Sequence, residues 1–92
     1  MDKKFELLIL AGEKLARMNP TKNDVWDIIC AIPLPDKEGE RKAELVIGKR
    51  DTQFQPYVAW WRFDGKDCAW GDYCQTYDGA KECLLQKIMQ YT

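Results

Sequence analysis

A β-hairpin is predicted by Tyr57-Val58-Ala59-Trp60-Trp61-Arg62-Phe63, by the Asp64-Gly65 pair that follows, and by the segment Lys66 to Gln75. Asp-Gly is the strongest short-range turn signal, and aromatic and β-branched residues favour strands on both sides of it. A two-residue loop pairs Trp61 with Cys68, whereas a four-residue loop pairs Trp61 with Trp70. In either register we expect one face to form the core, and that face holds Tyr57, Ala59, Trp61, Phe63, Cys68, Trp70, Asp72 and Cys74.

The opposite face of this hairpin is expected to lie outside the core. It holds Val58, Trp60, Arg62, Asp67, Ala69, Gly71 and Tyr73. Trp60 and Tyr73 are therefore the aromatic side chains that we predict to be exposed.

Two further strands are expected upstream of the hairpin. Ala43 to Gly48 places Ala43, Leu45 and Ile47 on one face against Glu44 and Val46 on the other, which suits a half-buried strand before the polar loop Lys49 to Pro56. Val25 to Ile32 is rich in β-branched residues and favours a strand with Trp26, Ile28, Cys30 and Ile32 on one face. A short helix capped by Thr21 or Asn23 remains the alternative for that segment, and Asp36 to Lys42 is expected to be a charged connection.

A helix is predicted at each end of the chain. Lys3 to Met18 has an apolar stripe of Leu7, Leu8, Ala11, Leu15 and Met18, widened by Phe5, Ile9, Gly12 and Ala16, and Asn19-Pro20 ends it. The last helix is expected to begin near Thr76 or Asp78, with Lys87 in solvent and a buried stripe of Ala80, Cys83, Leu84, Ile88 and Tyr91. We therefore expect an α+β fold of about four antiparallel strands, in the order α-β-β-β-β-α, with both helices on one face. No linker divides the chain, so residues 1–92 are predicted to form a single domain.

Composition excludes several classes of protein. The 92 residues are 46% hydrophobic and 32% charged, a balance typical of a globular domain and not of disorder. The longest apolar run, Leu7 to Ala11, is far too short to span a bilayer, and Asp2 and Glu6 interrupt any secretory signal. We expect a cytoplasmic protein with no membrane partner.

The four cysteines do not predict a metal centre or a disulfide framework. Cys30, Cys68, Cys74 and Cys83 contain no C-x-x-C spacing, and the chain has no histidine. Our interpretation is that they are small buried residues in a reducing cytosol. No metal and no cofactor is expected.

Catalysis has few candidate residues in this sequence. Without histidine, carboxylates and lysines are the remaining bases, and Asp72 is the carboxylate expected to share a face with Trp61 and Trp70. Strand-end and turn aspartates usually serve structure, so we predict a chain without enzymatic activity.

Binding is the function that the aromatic residues favour. The predicted contact set is Trp60, Arg62 and Tyr73 with the corner formed by Lys49 and Arg50. Tryptophan, tyrosine and arginine anchor protein interfaces, so a protein partner or self-association as a homodimer is the first hypothesis. Binding of single-stranded nucleic acid by the same face is the alternative, although 14 basic and 15 acidic residues leave a net charge of −1.

A resemblance to a known group of proteins rests on the segment Tyr57 to Leu84. Tyr57-Val58-Ala59-Trp60, the Asp64-Gly65 turn, Trp70-Gly71-Asp72-Tyr73 and a helix entered through Ala80 occur there in order. This segment resembles the C-terminal portion of small uncharacterised accessory proteins of phages and mobile elements of Gram-positive bacteria. The resemblance implies a protein that binds and occludes a host or partner protein, and it implies no catalytic residue.

Overall fold

The computed structural model describes residues 3–35 and 42–91. Within them the fold is α+β, with five antiparallel strands that follow chain order in one sheet. The elements are α1 (Lys3–Met18), β1 (Lys22–Asn23), β2 (Trp26–Pro33), β3 (Ala43–Lys49), β4 (Tyr57–Phe63), β5 (Asp67–Cys74) and α2 (Tyr77–Tyr91). The predicted fold class and the strand at Val25 to Ile32 are confirmed. The strand missing from the prediction is β1, because two residues are too few to show an alternating pattern; the expected connection Asp36 to Lys42 lies, apart from Lys42, outside the described residues.

Both helices pack on one face of the sheet, as predicted. The core on this helix-covered face consists of Phe5, Ile9, Cys30, Ile32, Leu45, Ile47, Ala59, Ala80 and Leu84. Gly12 brings α1 close to β2, because a Cβ there would lie 2.7 Å from Cys30 Sγ and 3.1 Å from the Ala31 carbonyl oxygen. The small residues of α1 therefore set its distance from the sheet.

Only one part of the predicted apolar stripe of α1 is buried. Phe5, Ile9, Gly12 and Ala16 are buried, whereas Leu7, Leu8, Ala11, Leu15 and Met18 are exposed. Hydrophobicity alone favours the leucines, but their side chains would hold the helix away from the backbone of β2. The prediction of a buried leucine stripe is wrong for this reason.

The other face of the sheet is also buried. Its core consists of Trp26, Ile28, Ala31, Val46, Val58 and Trp60. The sheet curls over this second face, so that Trp26 on β2 reaches Tyr73 on β5 with ring centroids 5.8 Å apart. Asn23 Nδ2 also donates to the Lys66 carbonyl oxygen at 2.8 Å. Because both faces are covered, β3 is more deeply buried than the half-buried strand that we predicted.

A register shift between β2 and β3 changes which residues of β2 share a face, and a second register shift lies between β4 and β5. On β2 a register shift between Ile28 and Cys30 places Ile28 on the second face and Cys30 on the helix-covered face. The predicted alternation of Trp26, Ile28, Cys30 and Ile32 on one face is therefore wrong. Such bulges also increase the bend of a sheet, which suits the curl.

The β4–β5 hairpin follows neither predicted register throughout. Near the turn Phe63 pairs with Asp67, which leaves a three-residue loop, and beyond a register shift Ala59 pairs with Asp72. The pairing beyond the shift is that of the four-residue register. Cys68, predicted in the first face, packs instead against the core of the second face.

The C-terminal helix begins at Tyr77 and is capped by Thr76, whose Oγ1 accepts from the Gly79 amide at 3.0 Å. Thr76 is one of the two predicted caps, and Ala80 and Leu84 are buried as expected. Lys87 is not in solvent: it is buried, and its Nζ lies 2.6 Å from Asp72 Oδ2. The side chain of Tyr91 lies outside the described part of the structure.

Candidate functional site

Trp60, the first residue of the predicted contact set, is buried with 9% of its surface exposed. Its indole packs edge-on against Trp26, with ring centroids 5.2 Å apart. Glycines on both neighbouring strands make room for it, since a Cβ at Gly48 would lie 3.2 Å from the ring and a Cβ at Gly71 would overlap Trp60 Nε1. The expectation that Trp60 is exposed is wrong because the sheet curls over it.

Arg62 is also buried. Its Nε donates to Glu44 Oε1 at 2.7 Å, and its Nη1 donates to Thr21 Oγ1 at 2.9 Å. These bonds join β4 to β3 and to the segment before β1. The guanidinium therefore holds the curl of the sheet together and is not presented to a partner.

Arg50 and Tyr73 are brought together at the rim of the second face. The guanidinium carbon of Arg50 lies 4.5 Å from the Trp26 ring centroid and 5.9 Å from that of Tyr73. Tyr73 is exposed, as predicted. Lys49 is exposed too, but its Nζ lies 5.8 Å from the Tyr57 ring, which belongs to the helix-covered face. The predicted contact set is therefore not one surface. Trp60 and Arg62 are buried, Arg50 and Tyr73 lie at the rim of the second face, and Lys49 lies beside the helix-covered face.

A second aromatic group lies on the β4–β5 hairpin, and we call Trp61, Phe63 and Trp70 the hairpin aromatic surface. Trp61 and Phe63 are stacked with ring centroids 6.4 Å apart, and Trp70 meets Phe63 edge-on at 6.1 Å. Trp70 is 70% exposed, although the sequence pattern placed it in the core. The residue lies within the register shift of β5, which the alternation of side chains does not reveal.

The backbone of Trp70 is in the left-handed region, with φ of 53°. That conformation costs an ordinary L-residue roughly 1–2 kcal/mol, and for a bulky residue it is a true outlier. Gly71, which is free of this cost, follows directly, yet it is the tryptophan that adopts the strained conformation. Strained residues of this kind cluster at functional sites.

Asp72, the candidate acid or base, is placed by its ion pair. Its carboxylate accepts from Lys87 Nζ on α2, and its strand partner is Ala59. Neither Trp61 nor Trp70 is paired with Asp72 across the hairpin: Trp61 pairs with Ala69, and Trp70 lies within the register shift. The carboxylate joins β5 to α2, which is a structural role.

The thiols of Cys30 and Cys74 are weak nucleophiles. Burial raises the pKa of Cys30 to about 12 and that of Cys74 to about 11, so both are protonated near neutral pH. Cys74 Sγ and Cys83 Sγ are 3.6 Å apart, a contact between β5 and α2 that the sequence did not predict. No cluster of three or more metal-ligating side chains occurs among residues 3–35 and 42–91.

Neither described helix combines the length and the apolar character needed to cross a bilayer.

Comparison with known proteins does not assign the chain to a family. No family model, curated protein or solved structure matches the chain at a significant level.

Proposed function

We propose that this chain is a non-enzymatic protein-binding module whose contact surface is the hairpin aromatic surface. The observation that supports the proposal is Trp70, which combines an exposed indole with a left-handed backbone. Burial of this tryptophan stabilises the fold little, because the side chain stays mostly in water. Its left-handed backbone, in addition, destabilises the folded state. A partner that covers the indole would recover the missing burial.

The chemistry of the surface suits a protein partner. Tryptophan is enriched among the residues that dominate binding energy, especially where a rigid scaffold holds the ring. Phe63 supports the Trp70 indole from one side, and Trp61 supports Phe63 in turn. The anchor is therefore largely ordered before binding, which lowers the entropic cost of association.

Occlusion of the partner is the mode of action that we propose. The segment that resembles accessory proteins of phages and mobile elements includes the whole β4–β5 hairpin. A small domain that covers a functional surface on a larger protein needs an anchoring side chain and no catalytic group.

Binding of single-stranded nucleic acid has less support. Trp60 and Arg62, two of the side chains on which that alternative depended, are buried. Tyr73 and Arg50 remain at the rim, but a net charge of −1 offers little attraction for phosphates.

The test is retention of partners from a native lysate by the tagged chain, with and without nuclease. We expect a discrete protein that survives nuclease and moderate salt and that is lost with Trp70→Ala. Retention that disappears with nuclease would establish the nucleic-acid alternative instead. Retention of the same protein by Trp70→Ala would overturn the proposed surface.

A further inference from the structure

Two half-buried thiols meet where the last strand packs against the last helix, and we call Cys74 and Cys83 the thiol pair. Their Sγ atoms are 3.6 Å apart. Both side chains pack against the core of the helix-covered face, and both keep some contact with solvent. The hairpin aromatic surface includes neither of them, so the proposed binding function does not explain why the two thiols are in contact.

The contact within the thiol pair is held by the fold around it. Cys74 and Asp72 lie two residues apart on β5, and therefore on the same face of the strand. Cys83 and Lys87 lie four residues apart on α2, one turn along the same face of the helix. These steps are about 6.6 Å along a strand and about 6 Å along a helix, so both contacts between the two elements form side by side. The ion pair of Lys87 Nζ with Asp72 Oδ2, at 2.6 Å, thus keeps the thiols in register.

The Cys74 side chain is also fixed by its own end of the hairpin. Its Sγ donates to the Asp72 carbonyl oxygen at 3.4 Å, and its Cβ lies 3.7 Å from the position that a Cβ would occupy at Gly79. The first turn of α2 therefore lies against the end of β5. A disulfide needs sulfur atoms about 2 Å apart, which rotation of the two side chains can supply from contact distance.

We propose that the thiol pair is a site of reversible oxidation, at which a low-molecular-weight disulfide such as oxidised glutathione converts Cys74 and Cys83 to an intramolecular disulfide. Proximity favours closure within the chain, because each thiol already has the other at contact distance. The bridge joins β5 to α2 covalently, beside the ion pair that already joins them.

The exchange takes place in two balanced steps. In the first, the Cys83 thiolate attacks one sulfur of oxidised glutathione, so that a mixed disulfide forms and one glutathione thiolate leaves. In the second, Cys74 releases its proton to solvent and attacks Cys83 Sγ, so that the second glutathione thiolate leaves. The two protein thiols lose two electrons, and oxidised glutathione gains them. The first attack is assigned to Cys83 because burial raises the pKa of Cys74 to about 11, whereas the second attack needs no diffusion.

The other two cysteines provide controls within the same chain. Cys30 is 0% exposed, so glutathione cannot reach it in the folded protein. Cys68 is half-buried like the thiol pair and lies on the same strand as Cys74, but it packs against the core of the second face. We therefore expect Cys68 to form a mixed disulfide at most.

The test is anaerobic equilibration of the chain with glutathione buffers, approached from the reduced and from the oxidised protein, followed by alkylation of free thiols and mass spectrometry. We expect the native chain to lose two thiols and two hydrogen atoms with no glutathione attached. Half-oxidation of the thiol pair should need at least roughly tenfold less oxidised glutathione than half-modification of Cys68, because closure is intramolecular.

Peptide mapping identifies the bridged residues. Trypsin cuts after Lys81, so the disulfide joins the peptide 67–81 to the peptide 82–87. Cys68 is the other cysteine of the first peptide, and Cys68→Ser makes the assignment to Cys74 unique. The linked peptides are expected from that variant and from the native chain alike.

Cys83→Ser is the variant that prevents closure. In the Cys68→Ser background it should leave Cys74 reduced at the glutathione ratio that fully oxidises the thiol pair. Thermal unfolding gives a second readout, because a bridge that closes a loop of only ten residues still restricts the unfolded chain. Oxidation should raise the melting temperature of Cys68→Ser by about 5 °C or more and leave that of the double variant unchanged.

Three results would overturn the proposal. They are mixed disulfides at Cys74 or Cys83 without closure, a bridge to Cys68 or to a second chain, and four free thiols in about 10 mM oxidised glutathione. None of these readouts involves a binding partner, so they do not depend on the hairpin aromatic surface.

Discussion

Gly71 is the residue at which one carbon atom decides the packing of the second face. A Cβ at this position would overlap the Trp60 indole, which is buried between β3 and β5. We predict that Gly71→Ala lowers the free energy of unfolding by about 1–3 kcal/mol, the usual cost of overpacking, as measured by urea denaturation. Gly65→Asn is the control and should be close to neutral, since nothing lies within 4 Å of a Cβ there and asparagine tolerates positive φ. Equal effects of the two substitutions would show that the indole has room to move.

Arg62 and Glu44 provide a second test at single residues. Arg62→Met leaves the partly buried Glu44 carboxylate without its cation, and we predict a loss of about 3 kcal/mol in the free energy of unfolding. Adding Glu44→Leu removes the uncompensated charge, so the double variant should recover most of that loss. A double variant as unstable as Arg62→Met in urea denaturation would mean that the bond to Thr21, and not the charge pair, is the important contact.

Cys30 and Tyr77 make stability depend on alkaline pH. Burial raises the pKa of Cys30 from 9.0 to about 12, and burial and the bond to Glu13 raise the pKa of the Tyr77 hydroxyl above 10.0. The unfolded chain releases these protons at lower pH than the folded chain, so the stability is fully present below about pH 9 and is lost as pH rises above it. We predict a melting temperature that falls between about pH 9 and pH 11, with a shallower fall in Cys30→Ala. An unchanged slope in that variant would contradict the assignment to Cys30.

The register shift in β5 forms a β-bulge at Trp70, and the backbone strain of this bulge can be measured directly. In an ordinary strand position alanine is more stable than glycine, but at Trp70 the left-handed backbone reverses that order. We predict that Trp70→Gly is more stable than Trp70→Ala by about 1 kcal/mol, with the lost indole common to both variants. The measurement is urea denaturation of the pair, and a more stable alanine variant would show that the bulge is not left-handed in solution.

The elements were predictable from the sequence to different degrees. Repeating apolar residues and Asn19-Pro20 predict α1 with its observed bounds, and Asp64-Gly65 predicts the hairpin. Which side of α1 is buried was not predictable from hydrophobicity. The side with the small Gly12 and Ala16 faces the sheet, because it lets the helix pack close to β2. The bulge at Trp70 also leaves no signal in the alternation of residues, so the exposed indole was missed.

At the scale of the whole molecule, the curl of the sheet could not be predicted from the sequence pattern. It is formed by contacts between residues distant along the chain: Trp26 with Tyr73, Asn23 with Lys66, and Arg62 with Thr21. The curl buries Trp60 and Arg62, which a flat sheet would expose. The predicted contact set assumed a flat sheet, and the contact surface that we propose in its place is the hairpin aromatic surface.

The most direct measurement compares the retention of a lysate protein by two variants matched in exposure. Trp70 and Phe54 are each 70% exposed, but only Trp70 belongs to the hairpin aromatic surface. We predict that Trp70→Ala loses a nuclease-resistant protein partner that the native chain and Phe54→Ala both retain. Equal retention by the two variants would contradict the account, because the exposed indole would then have no part in binding.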